Sequence, residues 1–156
     1  MAEIKIERCR RDDFSTMVKM WEEWCVETSK KNPHFPIKKG ASWDFQEILS
    51  QMFLDSQQVI LVARSDGHLA GFCMGHVEPQ SQIMAFEKIG VVENLCVSPE
   101  NQEVKQALFE GLGEWFKTKG VAVMEVSVFD PGGDTLKTIS AIGFKFARAV
   151  CQKPLS

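Results

Sequence analysis

The spacing of apolar and polar positions predicts one strand followed by two helices in the first third of the chain. Residues 3–8 alternate charged and apolar side chains, which is the two-residue period of a half-exposed strand. Apolar residues then recur at helical spacing over residues 14–25 and 45–53, so two amphipathic helices follow. Residues 32–36 contain two prolines, which break a helix, and they predict a rigid loop.

The rest of the chain alternates between strands and helices. Two apolar runs flank the turn Ser65-Asp66-Gly67, which predicts a hairpin. A helix between two strands usually makes a right-handed crossover between parallel strands. The pattern therefore predicts a mixed sheet in a single α/β domain over residues 1–156, antiparallel early and partly parallel late. The predicted strands are residues 59–63, 69–77, 88–97, 121–129 and 144–150, and the helices between the later strands are residues 98–120 and 133–142.

Helix starts are predicted from capping residues. Asp12 or Asp13 precedes the first helix and Ser42 the second, and each has a side-chain oxygen that can accept a backbone hydrogen bond. The third helix has the strongest signal, with Ser98 at the cap position and Pro99 at the first helical position. We therefore expect this helix to begin directly after the strand that precedes it.

Composition narrows the class of protein. The chain has 156 residues and a formal net charge of -3, so a nucleic-acid or anionic-membrane surface is not expected. No apolar run approaches the roughly 20 residues that span a bilayer. The 5 cysteines form no CxxC pair and the 3 histidines do not cluster with them, so no metal site is expected. These features indicate a cytoplasmic protein whose cysteines pack as small apolar residues in a reducing compartment.

Three short motifs follow one another along the chain. Residues 62–72 combine Val-Ala, an Asp-Gly turn and a Gly-Phe pair. Residues 92–100 contain an acidic residue, a leucine, a valine and then a proline, and residues 143–144 are a second Gly-Phe pair. Their order and spacing resemble the GNAT superfamily of N-acetyltransferases, over about residues 3–152. The resemblance implies an α/β GNAT fold, with a mixed sheet of about six to seven strands flanked by about four helices.

The resemblance implies acetyl transfer from acetyl-CoA to the primary amine of a small molecule. By this resemblance Glu93 is the general base, directly or through a water, and burial in an apolar strand would make it a better proton acceptor. The alternative is a rim carboxylate that faces a basic side chain or recognises a cationic substrate. The backbone N–H of Leu95 or Cys96 would donate to the oxyanion, and Leu95, Cys96 and Val97 would pair with the pantetheine arm. Core packing is the alternative for the Cys96 side chain.

Fewer residues indicate the acceptor side. The loop with His34 and Phe35 resembles a substrate-side loop of small-molecule acetyltransferases, and His76 at the end of a hairpin strand would line the same cleft. Each of the three also fits a surface or packing role. Trp21, Trp24 and Trp43 are interpreted as core or cleft wall. The sequence does not identify the amine.

The coenzyme loop departs from the family pattern. By resemblance the pyrophosphate would meet residues 102–107, namely Gln102, Glu103, Val104, Lys105, Gln106 and Ala107. The family's glycines are missing here, and Glu100 and Glu103 would repel phosphates, although Lys105 offers one positive charge. Acidic residues in a first helical turn also stabilise a helix that binds no phosphate. The family's catalytic tyrosine corresponds to Ile139, and the chain contains no tyrosine.

Two functions therefore remain open at the level of sequence. The first is an acetyltransferase that uses acetyl-CoA. The second is a catalytically inactive GNAT-like module that binds a ligand or partner or regulates another protein. The start of the third helix discriminates between them, because N–H groups open to a cleft favour the enzyme and a side chain that fills this space favours the module. Residues 144–150 are a candidate strand for a homodimer.

Overall fold

The computed structural model describes residues 2–35, 37–98, 100–129 and 134–155. The strands are β1 (Ile4–Arg8), β2 (Gln58–Ser65), β3 (His68–Pro79), β4 (Lys88–Val97) and β5 (Met124–Val126). The helices are α1 (Phe14–Lys31), α2 (Ala41–Leu54), α3 (Gln102–Thr118) and α4 (Asp134–Ala141), and a 3-10 turn at Arg11–Asp13 precedes α1. This is the order that the hydrophobic pattern predicts as far as α4.

The strands form one sheet in the order β1-β2-β3-β4-β5. Neighbouring strands are antiparallel from β1 to β4, and β5 runs parallel to β4. The mixed sheet predicted from the sequence is thus confirmed. The β2–β3 hairpin is also confirmed, since Asp66 and Gly67 have left-handed φ angles of 50° and 81° at its turn.

Helices cover both faces of the sheet, and the sequence of β2 shows the reason. Its central residues, Val59–Ala63, are all buried, because successive side chains point to opposite faces and both faces are covered. Ile60 and Val62 pack with α1 and α2, whereas Leu61 and Ala63 pack with α3. Complete burial of a valine or leucine stabilises the fold by about 1.5–3 kcal/mol. The sheet is therefore held between two apolar layers.

The last part of the sheet differs from the prediction. The strand expected over residues 121–129 is only β5, and residues 144–150 form no strand, so the described residues contain five strands rather than six or seven. Residues 144–150 have the composition of a strand, but a strand also needs a hydrogen-bonded neighbour. Phe146 is 77% exposed, and Arg148 approaches β5 through an ion pair with Glu125 at 3.1 Å. A side-chain contact of this kind does not build a ladder.

The first two helix starts also differ from the prediction. Ser42 lies inside α2, and its hydroxyl donates to the Glu22 carboxylate at 2.5 Å instead of capping the helix. Asp13 stands at the cap position of α1 but makes no capping hydrogen bond. Its carboxylate instead accepts from the Arg10 backbone N–H at 2.7 Å and from the Arg64 guanidinium at 2.9 Å. Tertiary partners thus engage both side chains, and Asp13 also makes a local hydrogen bond with Arg10.

Two findings bear on the expectations from composition. All 5 cysteines are free thiols, and 4 of them are buried, namely Cys9, Cys25, Cys73 and Cys96. Burial raises the pKa of the Cys9 and Cys25 thiols to about 11, so both stay protonated as small apolar groups. In the described ranges, no helix is long and apolar enough to cross a membrane.

Candidate functional site

β4 and β5 separate part of the way along their length. β5 pairs with β4 only along Gly90–Val92, which lie opposite Met124–Val126. β4 continues to Val97 and stays paired with β3 over this stretch. In the part of the chain that the structure describes, the edge of β4 beyond Val92 therefore has no strand beside it. We call this gap the β4–β5 opening.

Glu93 is an extra residue in β4. Met74 of β3 pairs with Asn94, and the next residue, Gly75, pairs with Val92, so Glu93 has no partner in the ladder. A bulge of this kind bends its strand and redirects the backbone after it. It lies where β5 leaves β4, and it thus explains how an inner strand acquires a free edge.

The ladder also shows which backbone groups face the opening. The Ser98 N–H donates to the Ala70 carbonyl at 3.2 Å, which places Ser98 in the hydrogen-bonded phase of the β3–β4 pair. This phase alternates along antiparallel strands, so the backbone groups of Cys96 point to β3 and those of Leu95 and Val97 point away from it. Of the two oxyanion donors expected from the sequence, Leu95 faces the opening and Cys96 does not.

Glu93 and His76 form a pair beside the bulge. Glu93 Oε1 lies 3.3 Å from His76 Nδ1, and the two side chains are 35% and 26% exposed. The expectation that Glu93 is buried is therefore wrong, because the bulge leaves its carboxylate partly in solvent. Gly75 faces α3, so its neighbour His76 points to the face that α1 and α2 cover. A carboxylate at Nδ1 orients the imidazole and leaves Nε2 for another contact.

Three aromatic side chains meet beyond the end of β5. Trp24 of α1, Phe35 of the following loop and Phe129 form this aromatic cluster, with ring centroids 5.4, 6.1 and 5.1 Å apart. The Asn32 side chain stabilises the cluster by donating to the Phe129 carbonyl at 2.8 Å. His34 is exposed, and its backbone N–H donates to Asn32 Oδ1 at 3.0 Å. The cluster thus connects the loop after α1 to Phe129, in the segment that follows β5.

Sequence reasoning misses part of this cluster. Phe129 and its partner Asn32 are 97 positions apart, and no local pattern marks so distant a contact. Trp24 is half-buried in the cluster, which agrees with its interpretation as core or cleft wall. Trp43 is 76% exposed on α2, so the same interpretation is wrong for it.

The N-terminus of α3 is closed by a side chain of its own chain. Asn101 is the cap, and its Oδ1 accepts from the backbone N–H groups of Glu103 (3.0 Å) and Val104 (3.2 Å). The predicted start at Ser98 is wrong, because Ser98 still belongs to the β3–β4 ladder. Pro99, expected at the first helical position, lies outside the described residues.

The charges at this helix start are negative or already paired. Glu100 and Glu103 are both exposed. The Lys105 ammonium forms an ion pair with the Glu100 carboxylate, and the Lys105 side chain is only 16% exposed. The carboxylates interact favourably with the positive end of the helix dipole. These contacts stabilise α3, and the positive charge of Lys105 is already neutralised by Glu100.

The remaining polar side chains of this turn bond to helices. Gln102 Nε2 donates to Thr138 Oγ1 of α4 at 3.1 Å, and Gln106 Nε2 donates to Glu110 at 2.9 Å. Between α3 and α4 lies an open groove of about 390 Å³. Its lining consists of Gln102, Gln106, Lys137, Thr138, Ala141 and Ile142.

Gly71 of β3 brings α3 close to the end of the ladder. A Cβ at this position would lie 2.9 Å from the Cys96 carbonyl oxygen and 3.2 Å from Val104 Cγ1. Val104 is 1% exposed there, and Ala107 is half-buried on the next turn. A side chain at residue 71 would therefore push α3 away from the end of β4 and from the opening.

The Cys96 thiol is unsuited to nucleophilic chemistry. It is 2% exposed and packs with the residues of α1 and α2. Burial raises the pKa of this thiol well above its ordinary value, with smaller contributions from Cys25 and Cys73. Since the thiolate is the nucleophile, a core role follows for Cys96.

The two halves of the site fit coenzyme A unequally. Coenzyme A consists of an amide-containing pantetheine arm joined to a nucleotide through a diphosphate. The backbone groups of Leu95 and Val97 at the open edge fit the arm, because amides need hydrogen-bonding partners. The N-terminus of α3 does not fit the diphosphate, because Asn101 occupies N–H groups that would bind it and two carboxylates adjoin them.

No protein-family model and no curated protein sequence matches this chain. Solved structures do match. A predicted acetyltransferase from Clostridium acetobutylicum, crystallised with acetyl-CoA, has a TM-score of 0.77 over 98% of this chain and 97% of that chain, at 9% identity. A GCN5-related N-acetyltransferase from Ralstonia eutropha has a TM-score of 0.75 over 99% and 100%, at 15% identity.

A third solved structure is an aminoglycoside acetyltransferase from an uncultured soil metagenomic sample in complex with sisomicin. It has a TM-score of 0.67 over 98% of this chain and 95% of that chain, at 16% identity. These likenesses show that the chain has the GNAT fold, the fold of GCN5-related N-acetyltransferases. The fold expected from the sequence resemblance is thus confirmed.

Proposed function

We propose that this chain transfers an acetyl group from a pantetheine thioester, such as acetyl-CoA, to the primary amine of a small molecule. The observation that carries the proposal is the β4–β5 opening, where the bulge at Glu93 frees the edge at Leu95 and Val97. Backbone donors and acceptors inside a sheet need partners, and an extended ligand supplies them. The likeness to a structure solved with acetyl-CoA supports this ligand class.

In the proposed reaction the amine nitrogen attacks the carbonyl carbon of the thioester. A C–N bond forms, the C–S bond breaks, and the sulfur leaves as a thiolate. The Leu95 N–H donates to the carbonyl oxygen, on which negative charge develops during the attack. One proton leaves the ammonium before the attack, and a second passes from the attacking nitrogen to the thiolate afterwards.

Glu93, with His76, is the group that takes the first proton, directly or through a water. Their contact at 3.3 Å gives the pair one orientation beside the bulge, and their partial exposure gives the proton a path to solvent. The second proton comes without a phenol, because the chain contains no tyrosine and Ile139, the corresponding residue, is 6% exposed. A thiol has a pKa of about 8.5, so the thiolate accepts this proton from the attacking nitrogen through a water, at the cost of a slower step.

The acceptor enters beside the aromatic cluster. Trp24, Phe35 and Phe129 supply half-buried rings near the loop that also carries His34. An ammonium group is attracted to the faces of such rings, and its carbon skeleton packs against them. The aminoglycoside acetyltransferase in complex with sisomicin provides a precedent for an amine-bearing small molecule on this fold.

A second candidate function is a non-catalytic GNAT-like module that binds a ligand or a partner. The observation that favours it is the Asn101 cap, because this side chain accepts from N–H groups that an open phosphate site would present to a ligand. Other expectations from the sequence stay predictions. They are a single domain over residues 1–156, a cytoplasmic location and a homodimer through residues 144–150.

Release of free thiol from acetyl-CoA and from acetyl-pantetheine, in the presence of primary amines, tests the proposed activity. We expect Glu93→Gln to lower kcat/KM about 100- to 10,000-fold, the usual contribution of a general base, with donor affinity unchanged. The matched control is Glu78→Gln, which removes an exposed carboxylate from β3. Thiol release in the presence of amine that does not exceed the buffer rate, or equal rates for Glu93→Gln and the parent protein, would reject the catalytic role.

A further inference from the structure

We infer that this chain recognises its thioester through the pantetheine arm and not through the diphosphate of coenzyme A. Donors without a nucleotide then serve it about as well as acetyl-CoA. The inference rests on the proposed function, because it names the donor class that the same opening accepts. The reaction and its proton balance are those given above.

The N–H groups at the start of α3 already have an acceptor. Asn101 Oδ1 lies 3.0 Å from the Glu103 nitrogen and 3.2 Å from the Val104 nitrogen. An anion binds a helix N-terminus through these same unsatisfied donors. A diphosphate would first have to displace the cap, which offsets much of what it gains.

The charges around these N–H groups also disfavour a diphosphate. Glu100 and Glu103 place two carboxylates around these N–H groups, and a diphosphate would be a third anion in the same place. Lys105 does not compensate, because its ammonium is paired with Glu100 and its side chain is largely buried. No residue from Glu100 to Ala107 is glycine, so side chains also stand where a phosphate needs close contact with backbone.

A contact between α3 and α4 engages another polar side chain at the start of α3. Gln102 Nε2 donates to Thr138 Oγ1, which bridges the two helices at the first turn of α3. The groove behind this bridge contains one basic side chain among its lining residues, Lys137. A single lysine on an open groove is a weak phosphate site.

The β4–β5 opening lacks every one of these obstacles. No carboxylate follows Glu93 in β4, and β5 no longer pairs with Leu95 or Val97. The opening thus offers a backbone edge that can bind the pantetheine arm, whereas the start of α3 offers no site for the diphosphate. The residues present therefore suit the pantetheine arm of coenzyme A and not its diphosphate.

Calorimetric titration of the full chain with coenzyme A, 4′-phosphopantetheine and pantetheine tests the inference. We expect the three dissociation constants to lie within about tenfold of one another, a difference of ~1.4 kcal/mol. Coenzyme A binding more than about tenfold tighter than pantetheine would overturn the inference and leave the proposed function intact. No binding of any of the three at millimolar concentration would overturn both.

Charge variants at α3 sharpen the test. Glu103→Gln should strengthen coenzyme A binding about two- to fivefold, from the loss of one repulsion near the helix end, and leave pantetheine binding unchanged. Glu114→Gln is the matched control, since it makes the same charge change in the last turns of α3. Lys137→Gln should alter neither affinity by more than about twofold. Equal gains for pantetheine, or a large loss of coenzyme A binding in Lys137→Gln, would contradict the inference.

Discussion

The β4–β5 opening and the N-terminus of α3 lie close together, and they use their backbone N–H groups in opposite ways. At the opening a bulge and the departure of β5 free the edge at Leu95 and Val97. At α3 the Asn101 side chain satisfies the N–H groups of Glu103 and Val104. The edge of β4 is thus open in the described residues, whereas the N–H groups at the start of α3 already have an acceptor. A few side chains therefore decide whether neighbouring backbone N–H groups stay open or are satisfied within the chain.

Gly71→Ala should disturb the packing of α3 against the end of β4, and thus affect both regions. The added Cβ would lie 2.9 Å from the Cys96 carbonyl oxygen, so α3 or the end of β4 must move. Overpacking of this kind destabilises a protein by about 1–3 kcal/mol, and we expect pantetheine binding to weaken as well. Chemical denaturation and calorimetry on the same sample measure both effects.

The matched control for this change is Gly113→Ala in α3. A Cβ at Gly113 would meet only Met124 Cε, at 3.9 Å. Replacing a glycine by alanine inside a helix stabilises it by roughly 0.5–1 kcal/mol, so this variant should be slightly more stable with unchanged binding. Equal destabilisation by both variants would contradict this account, because it would show that the close contact at Gly71 is not the cause of the effect.

Asn101→Ala should affect α3 and spare the opening. Loss of a helix cap costs about 1 kcal/mol of stability, and two N–H groups of α3 lose their acceptor. We expect pantetheine affinity to change by less than about twofold, because the opening does not involve Asn101. Gln106→Ala, on the exposed side of the same helix, controls for the change in helix propensity. A parallel loss of stability and pantetheine affinity would mean that the two regions are not independent.

Acid should weaken the sheet that carries both regions. Hydrogen bonding from Arg64, and then from Lys5, lowers the pKa of Glu7 from 4.5 to about 2. A carboxylate with a lowered pKa in the folded state contributes stability above pH 4.5, and that contribution is lost as the pH falls from 4.5 towards 2. Denaturant midpoints across this window should fall less steeply for Glu7→Gln than for the parent protein, and Glu3→Gln is the control. Identical slopes for Glu7→Gln and the parent would contradict the assignment.

Sequence patterns predict the elements whose partners are local or continuous. The alternation and apolar runs predict β1 to β4, and the bounds of β4 agree with the structure at Lys88–Val97. The Asp-Gly pair predicts the hairpin, since the left-handed turn needs residues that tolerate positive φ. For the site, the resemblance placed Glu93 and Leu95 in the strand that carries the bulge and the open edge.

The remaining features depend on contacts that no sequence pattern shows. Ser98-Pro99 has the composition of a helix start, but the Ser98 N–H bonds to Ala70 and keeps the chain in the ladder, so the cap passes to Asn101. Residues 144–150 have strand propensity, which does not reveal whether a neighbouring strand exists. The expected burial of Glu93 is wrong because a bulge changes the direction of one residue without a signature in composition.

Backbone amide NMR on ¹⁵N-labelled protein tests the central claim most directly, because it observes both regions in one sample. On addition of pantetheine or of coenzyme A, we predict shifts of the Leu95 and Val97 amide signals. The Glu103 and Val104 amide signals, which report the Asn101 cap, should remain in place with either ligand. Movement of the Glu103 and Val104 signals with coenzyme A but not with pantetheine, or the absence of shifts at Leu95 and Val97 with both ligands, would contradict this account.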